Sequence, residues 1–201
     1  MAFIVIEGGE GSGKSTMVTK AKELFPFAMV TREPGGAPFA EKIREVILSP
    51  AASAADANTQ FALFWAARAD HLKNTIIPAL KVGGSVISDR FDASSYAYQI
   101  HGQQNEHLRD LFLKMREVYL GKHTPDLYIF LDVDPKEGIR RRAMHRGYDV
   151  NHFDKRTVDF HERVRAGYLE FFKDMPHKII DANKPLAEVE KEFKKILKSQ
   201  L

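Results

Sequence analysis

The stretch FIVIEGGEGSGKST, residues 3–16, sets an apolar, β-branched strand directly ahead of a Gly-x4-Gly-Lys-Ser loop. Gly8, Gly11 and Gly13 lack the Cβ atoms that would keep a backbone from wrapping around phosphate. The N–H groups of the loop, and of the helix that the following pattern predicts, then face an anion. Lys14 can reach the β- and γ-phosphates of a nucleoside triphosphate, and Ser15 offers the hydroxyl that commonly holds Mg²⁺. The expected triphosphate-binding residues are therefore Gly8, Glu10, Gly11, Ser12, Gly13, Lys14, Ser15 and Thr16.

Outward from this loop, strand-like runs recur at Phe3 to Glu7, Ala28 to Thr31, Ser85 to Ser88, Leu127 to Val133 and Lys178 to Ile180. Longer stretches of helical periodicity separate them, which reads as βα alternation and a parallel sheet. FIVIE and LYIFLDV are continuously apolar, as strands covered on both faces must be. The predicted architecture is a doubly wound, three-layer α/β/α domain on a five-stranded parallel sheet. The longest helix is predicted over Asn58 to Leu80, with Phe61, Phe64, Trp65, Leu72, Ile76 and Leu80 at helical spacing. Pro78 marks a kink or its last turn, and Ser49 to Ala57 reads as a small-residue connection.

With 201 residues and 44% apolar content, the chain suffices for one well-buried domain, residues 1–201. No apolar run nears the roughly 20 residues a bilayer span needs, and the N-terminus has no basic flank or cleavage site. Zero cysteines exclude disulfides and thiolate metal sites. The expectation is a cytoplasmic protein without a membrane partner. A net charge of +3, with 30 basic residues among 27 acidic ones, gives no basic stripe for nucleic acid.

In open α/β sheets ligands gather beyond the C-terminal ends of the strands. There the second strand is followed by TREPGG, whose Pro34 and glycines impose a turn and leave Arg32 and Glu33 at the rim. The third strand is followed by DRFDASSYAYQ. Asp89 can hold Mg²⁺ through water, and Arg90 can fork onto a phosphate with two parallel hydrogen bonds. An ion pair is the plainer use of the same two residues.

The strings EGxEGSGKST, TREPGG, LFxAARxxHL and DRxxxSSxAYQ, in this order, resemble the thymidylate kinase family. PDLYIFLDVDP and FHERVRAGY also sit where relatives carry similar strings, so the likeness covers nearly the whole chain. It implies a bacterial-type kinase fold with a basic lid at about residues 140–156, ATP as phosphoryl donor with Mg²⁺, thymidylate as acceptor on the way to thymidine triphosphate, and a homodimer. By the same resemblance Phe64 stacks on thymine and Arg68 bonds its carbonyl, and positions i and i+4 do share a helix face. Ser95 and Gln99 match base-bonding positions, and Tyr98 matches the aromatic against the deoxyribose. Arg90 matches the residue that grips the acceptor phosphate, with Arg32 and Arg44 in support. Glu10 matches an acidic position near the sugar 3′-hydroxyl, where a solvated loop carboxylate is the alternative.

The arginines Arg140, Arg141, Arg142 and Arg146 resemble the family's lid cations, which stabilise the charge that spreads over a phosphoryl group in transfer. Arg142 and Arg146 share a face and are the expected catalytic pair, with Lys14 and Arg90. Relatives whose phosphate loop lacks arginine carry a second lid arginine where this chain has Asn151, His152 and Phe153. Either Arg142 and Arg146 suffice, or Arg156 swings in, or donor-side catalysis is weaker. Phe91 replaces the usual Tyr or His of the DR motif, and NKPL lacks the acidic residue of a guanine-reading NKxD. A kinase for another nucleotide or nucleoside is the nearest alternative. A non-catalytic regulator or a nucleic-acid-dependent ATPase is a more distant one.

Overall fold

The computed structural model describes residues 1–144 and 156–200. Arg146, Asn151, His152 and Phe153, and with them most of the expected lid, lie outside the described residues. Strands Phe3–Gly8 (β1), Met29–Arg32 (β2), Val86–Asp89 (β3), Leu127–Asp132 (β4) and His177–Asp181 (β5) form one sheet in the order β2-β3-β1-β4-β5. Every pairing is parallel.

The central strand β1 is buried at every position. Phe3 and Val5 enter one core and Ile4 and Ile6 the other, as the two-residue period of a strand demands. The first core receives Ile43 from helix α2 (Pro38–Leu48), Trp65 from α4 (Ala57–His71), Phe112 from α7 (Arg109–Leu120) and Phe172 from α9 (Val158–Phe172). Met17 of α1 (Lys14–Leu24) and Phe193 of α10 (Leu186–Lys198) fill the second. The predicted three layers are therefore present.

Two helical stretches differ from the simple periodic reading. The small-residue connection contains a one-turn helix, α3 (Pro50–Ser53). The long helix starts at the Asp56 cap, whose carboxylate accepts the Thr59 N–H at 2.7 Å. It then widens into a π turn at Leu72–Ile76, closed by Ile77 N–H on the Leu72 carbonyl, before α5 (Ile77–Lys81). Pro78 has no N–H to give a carbonyl four residues back, and the wide turn carries the helix past it. Apolar spacing alone does not register a single extra residue in a turn. Beyond β3, α6 (Asp92–Ser95) likewise runs into a buried π-helical stretch, Tyr96–Gly102, packed on α9.

Phe193 is fully buried where α10 meets the sheet. Phe193→Ala should cost about 3–5 kcal/mol in urea unfolding with an unchanged m-value. A loss below about 1 kcal/mol would contradict this account of the second core.

Candidate active site

All the rim segments meet at one edge of the sheet. After β1 the backbone turns through Gly11 and Gly13, both at positive φ, and α1 begins at Lys14 without a side-chain cap. Its first-turn N–H groups are thus left for an anion. A Cβ on Gly11 would lie 2.1 Å from the Gly138 carbonyl, and one on Gly138 2.2 Å from the Glu10 carbonyl. Only two glycines allow helix α8 (Pro135–Met144) to rest backbone to backbone on the phosphate loop.

A cleft of about 610 Å³ runs from the loop, residues 9–16, past Arg140, Arg141 and Arg142 to Ala182, Asn183 and Leu186. The three arginines do different work. Arg140 and Arg141 share Glu137, whose carboxyl they pull down to about 2. Arg141 also donates to the Ala182 carbonyl at 2.7 Å, fixing the loop after β5. Arg142 turns toward the phosphate loop, 3.8 Å from the Glu10 carboxylate. Of the expected lid pair, then, Arg142 borders the triphosphate cleft and Arg146 lies outside the described residues. Arg156 lies over the Phe160 ring at 5.4 Å.

A second cleft, about 190 Å³, adjoins the first through Glu10, Lys14 and Arg90. Arg32, Glu33, Arg44, Phe64, Asp89, Ser94, Tyr98 and Gln99 also line it. Lys14 Nζ bonds Asp89 Oδ1 at 2.6 Å, so the ion pair at this rim is Lys–Asp rather than Asp–Arg. Burial would raise the Asp89 carboxyl, but Lys14 and Arg90 outweigh it and hold the group below its ordinary range. Asp89 is therefore an anion near neutrality. With the Ser15 hydroxyl it fits Mg²⁺, which keeps most of its waters and takes few protein ligands. Among the described residues no cluster of three or more acidic or histidine side chains offers a fuller cage.

Burial pushes the Tyr98 phenol up to about 12, leaving it neutral beside Arg90, whose guanidinium lies 5.3 Å from its ring centre. Gln99 is 1% exposed, and among the described residues neither its amide oxygen nor its amide nitrogen has a partner. A buried amide without partners beside a cleft can pair with a ligand that enters it. Phe64 borders the same space, half-buried against the core.

Arg68 and Ser95 are not on the cleft surface. Arg68 is 1% exposed, with Nε on Glu33 Oε2 at 2.9 Å and Nη2 on the Phe91 carbonyl and Ser95 Oγ. Its Nη1 alone lacks a partner among the described residues. Glu33, expected as a ligand residue, spends its other oxygen on His71 Nδ1 at 3.0 Å, and His71 Nε2 meets Thr31 Oγ1 at 2.7 Å. It anchors Arg68 from behind. On the rim, Arg32 bonds Glu41, and Arg44 donates to the Pro34 carbonyl.

Sequence reasoning passed over Glu7, Ser94 and Tyr168. The fully buried Glu7 carboxylate accepts the Phe91 and Ser94 N–H groups and the Ser94 and Tyr168 hydroxyls. Burial pushes its carboxyl up, against the pull of Arg90 and these donors. A lone carboxylate inside FIVIEG was the available signal, since a strand covered on both faces has no solvent to offer it.

The sequence profile described as thymidylate kinase matches residues 6–193. Similar proteins include the thymidylate kinase of Clostridium novyi (strain NT), 39% identical over 98% of this chain and 98% of its own. That of Geobacillus sp. (strain WCH70) is 39% identical over 93% and 91% of the two chains. That of Acholeplasma laidlawii (strain PG-8A) is 41% identical over 92% of each.

Gln99→Met removes a buried, unpartnered amide at little change in volume. Without ligand the variant should be more stable by about 1 kcal/mol in urea unfolding, while acceptor affinity falls about tenfold or more. A variant that loses stability yet binds acceptor normally would show that the amide serves the fold.

Proposed function

The chain belongs to the thymidylate kinase family, and we propose that it transfers the γ-phosphoryl group of ATP to the 5′-phosphate of thymidylate. The observation that carries this reading is the pair of adjoining clefts that share Lys14 and Arg90. One has the phosphate loop and the other a buried amide, an aromatic wall and an arginine. A triphosphate in the first and a monophosphate in the second would meet between these two cations.

The acceptor phosphate, with a second pKa of about 6, is already mostly dianionic near neutrality, so no general base is needed. One of its oxygens forms the new P–O bond while the bond from γ-phosphorus to the bridging oxygen breaks and ADP departs. Repulsion between the two anions is the main obstacle, and Lys14, Arg90 and Arg142 offset it. Mg²⁺, held through Ser15 and Asp89, would supply further charge neutralisation to the triphosphate. Lys14 exchanges its Asp89 partner for phosphate as the donor enters. Phe64 and Gln99 hold the base, with Arg68 Nη1 behind them, and Tyr98 fills the space a 2′-hydroxyl would need. A lid at about 140–156, bringing Arg146, excludes water.

We place the enzyme in the cytoplasm as a homodimer. Among the described residues no helix is long and apolar enough to cross a membrane. Exposed apolar side chains on α2 (Phe39, Val46) and α7 (Leu111, Val118) support self-association through helices.

The test is ADP formation with MgATP and, separately, each deoxynucleoside monophosphate and thymidine. Thymidylate should be the preferred acceptor, and Arg90→Ala should lower kcat/KM for it by about 10²-fold or more. Preference for thymidine would move the reading to a nucleoside kinase. Binding of ATP with no transfer to any acceptor would sink it.

A further inference from the structure

Arg90 is an arginine held in an unusual way. Its backbone lies at φ 66, in the left-handed region that costs a long side chain energy and persists only when neighbours enforce it. The enforcement is visible: Arg90 N–H donates to the Ile6 carbonyl at 2.9 Å, and Ser88 Oγ donates to the Arg90 carbonyl at 2.7 Å. The side chain is directed as firmly. Nη1 donates to Ser94 Oγ at 3.2 Å and to the Tyr168 hydroxyl at 2.9 Å, which uses both of its hydrogens.

Each of those hydroxyls can donate to Glu7 Oε2, at 2.7 Å from Ser94 and 2.9 Å from Tyr168, and the two also stand 2.9 Å from each other, so Arg90, Ser94, Tyr168 and Glu7 form one network. Both hydroxyl oxygens keep lone pairs with which to accept from Nη1. Tyr168 is 0% exposed and its ring packs on Phe130 and Phe172, so the hydroxyl has no freedom to wander. On the other edge of the guanidinium, among the described residues, Nε and Nη2 meet only the Tyr98 hydroxyl, at 3.5 Å from Nη2. Arg90 lines both clefts.

We propose that Tyr168, fixed by the buried Glu7 carboxylate, is a positioning residue that consumes the Nη1 edge of Arg90 and so presents the Nη2–Nε edge to the acceptor phosphate. The inference rests on reading Arg90 as the acceptor-phosphate arginine, and it adds a residue that touches neither substrate. Tyr168 also belongs to α9, the helix that follows the lid segment in the chain, so the acceptor arginine is held by the element onto which that segment leads.

Thymidine and thymidylate differ only in the phosphate, so the ratio of their dissociation constants isolates the phosphate contacts, and its change in Arg90→Met is the share that Arg90 contributes. Calorimetry on wild type, Tyr168→Phe, Arg90→Met and the double variant measures it. Tyr168→Phe should shrink the preference for thymidylate about tenfold, the scale of one hydrogen bond to a charged group. Thymidine affinity and the KM for ATP should stay within about twofold, which a general loosening of the core would not allow. In the Arg90→Met background the same change should have no effect on the ratio, because Tyr168 acts through Arg90. Should Tyr168→Phe fail to fold, Ser94→Ala, which removes the other Nη1 acceptor, should lower the ratio in the same sense. A wild type with no preference for thymidylate would overturn the premise and this inference with it. A clear wild-type preference left intact by Tyr168→Phe, or reduced equally in both backgrounds, would overturn the inference alone.

Discussion

A carboxylate shut away from solvent near the end of the central strand is the constraint on which the acceptor side of this molecule depends. Glu7 is 0% exposed, and an unpartnered carboxylate there would be expensive. Four donor groups converge on it, two from the backbone after β3, one from Ser94 and one from Tyr168. Satisfying that charge fixes the turn after Arg90, the start of the helix bearing Tyr98 and Gln99, and the docking of α9. The chain thus converts the cost of one buried charge into the orientation of another.

The donor side is organised by close packing instead. Gly11 and Gly138 let α8 lie against the phosphate loop, which sets Arg142 beside Glu10 and Arg141 against the Ala182 carbonyl. Glu137 draws Arg140 and Arg141 together into a structural pair. Between the two halves stand Lys14 and Asp89, whose 2.6 Å contact satisfies two charges that the substrates would otherwise have to satisfy.

Much of this was legible in the amino-acid order. The apolar runs of β1 and β4 declare strands covered on both faces, and the Gly-x4-Gly-Lys-Ser loop behind β1 marks the larger cleft. Asp89 and Arg90 follow from the rule that ligands gather past strand ends. What escaped has physical causes. Periodicity cannot register the single added residue of a π turn, as at Leu72–Ile76. Nor can spacing reveal a contact such as Tyr168 with Glu7, 161 positions apart, because tertiary packing alone brings them together. Arg68 and Glu33 show a third limit. Their residue types suit ligand contact, yet spacing does not show that they pair with each other, Glu33 on the cleft wall and Arg68 behind it.

The proposed transfer requires thymidylate to lie with its phosphate on Arg90 and its base against Gln99. A crystal structure of the protein with thymidylate and ADP tests that claim most directly. The predicted result has the phosphate on the Nη2–Nε edge, Nη1 still bonded to Tyr168 and Ser94, and the Gln99 amide paired with the base beside Phe64. A thymidylate whose phosphate rests on Arg32 and Arg44 alone, or whose base leaves the Gln99 amide unpaired, would contradict it.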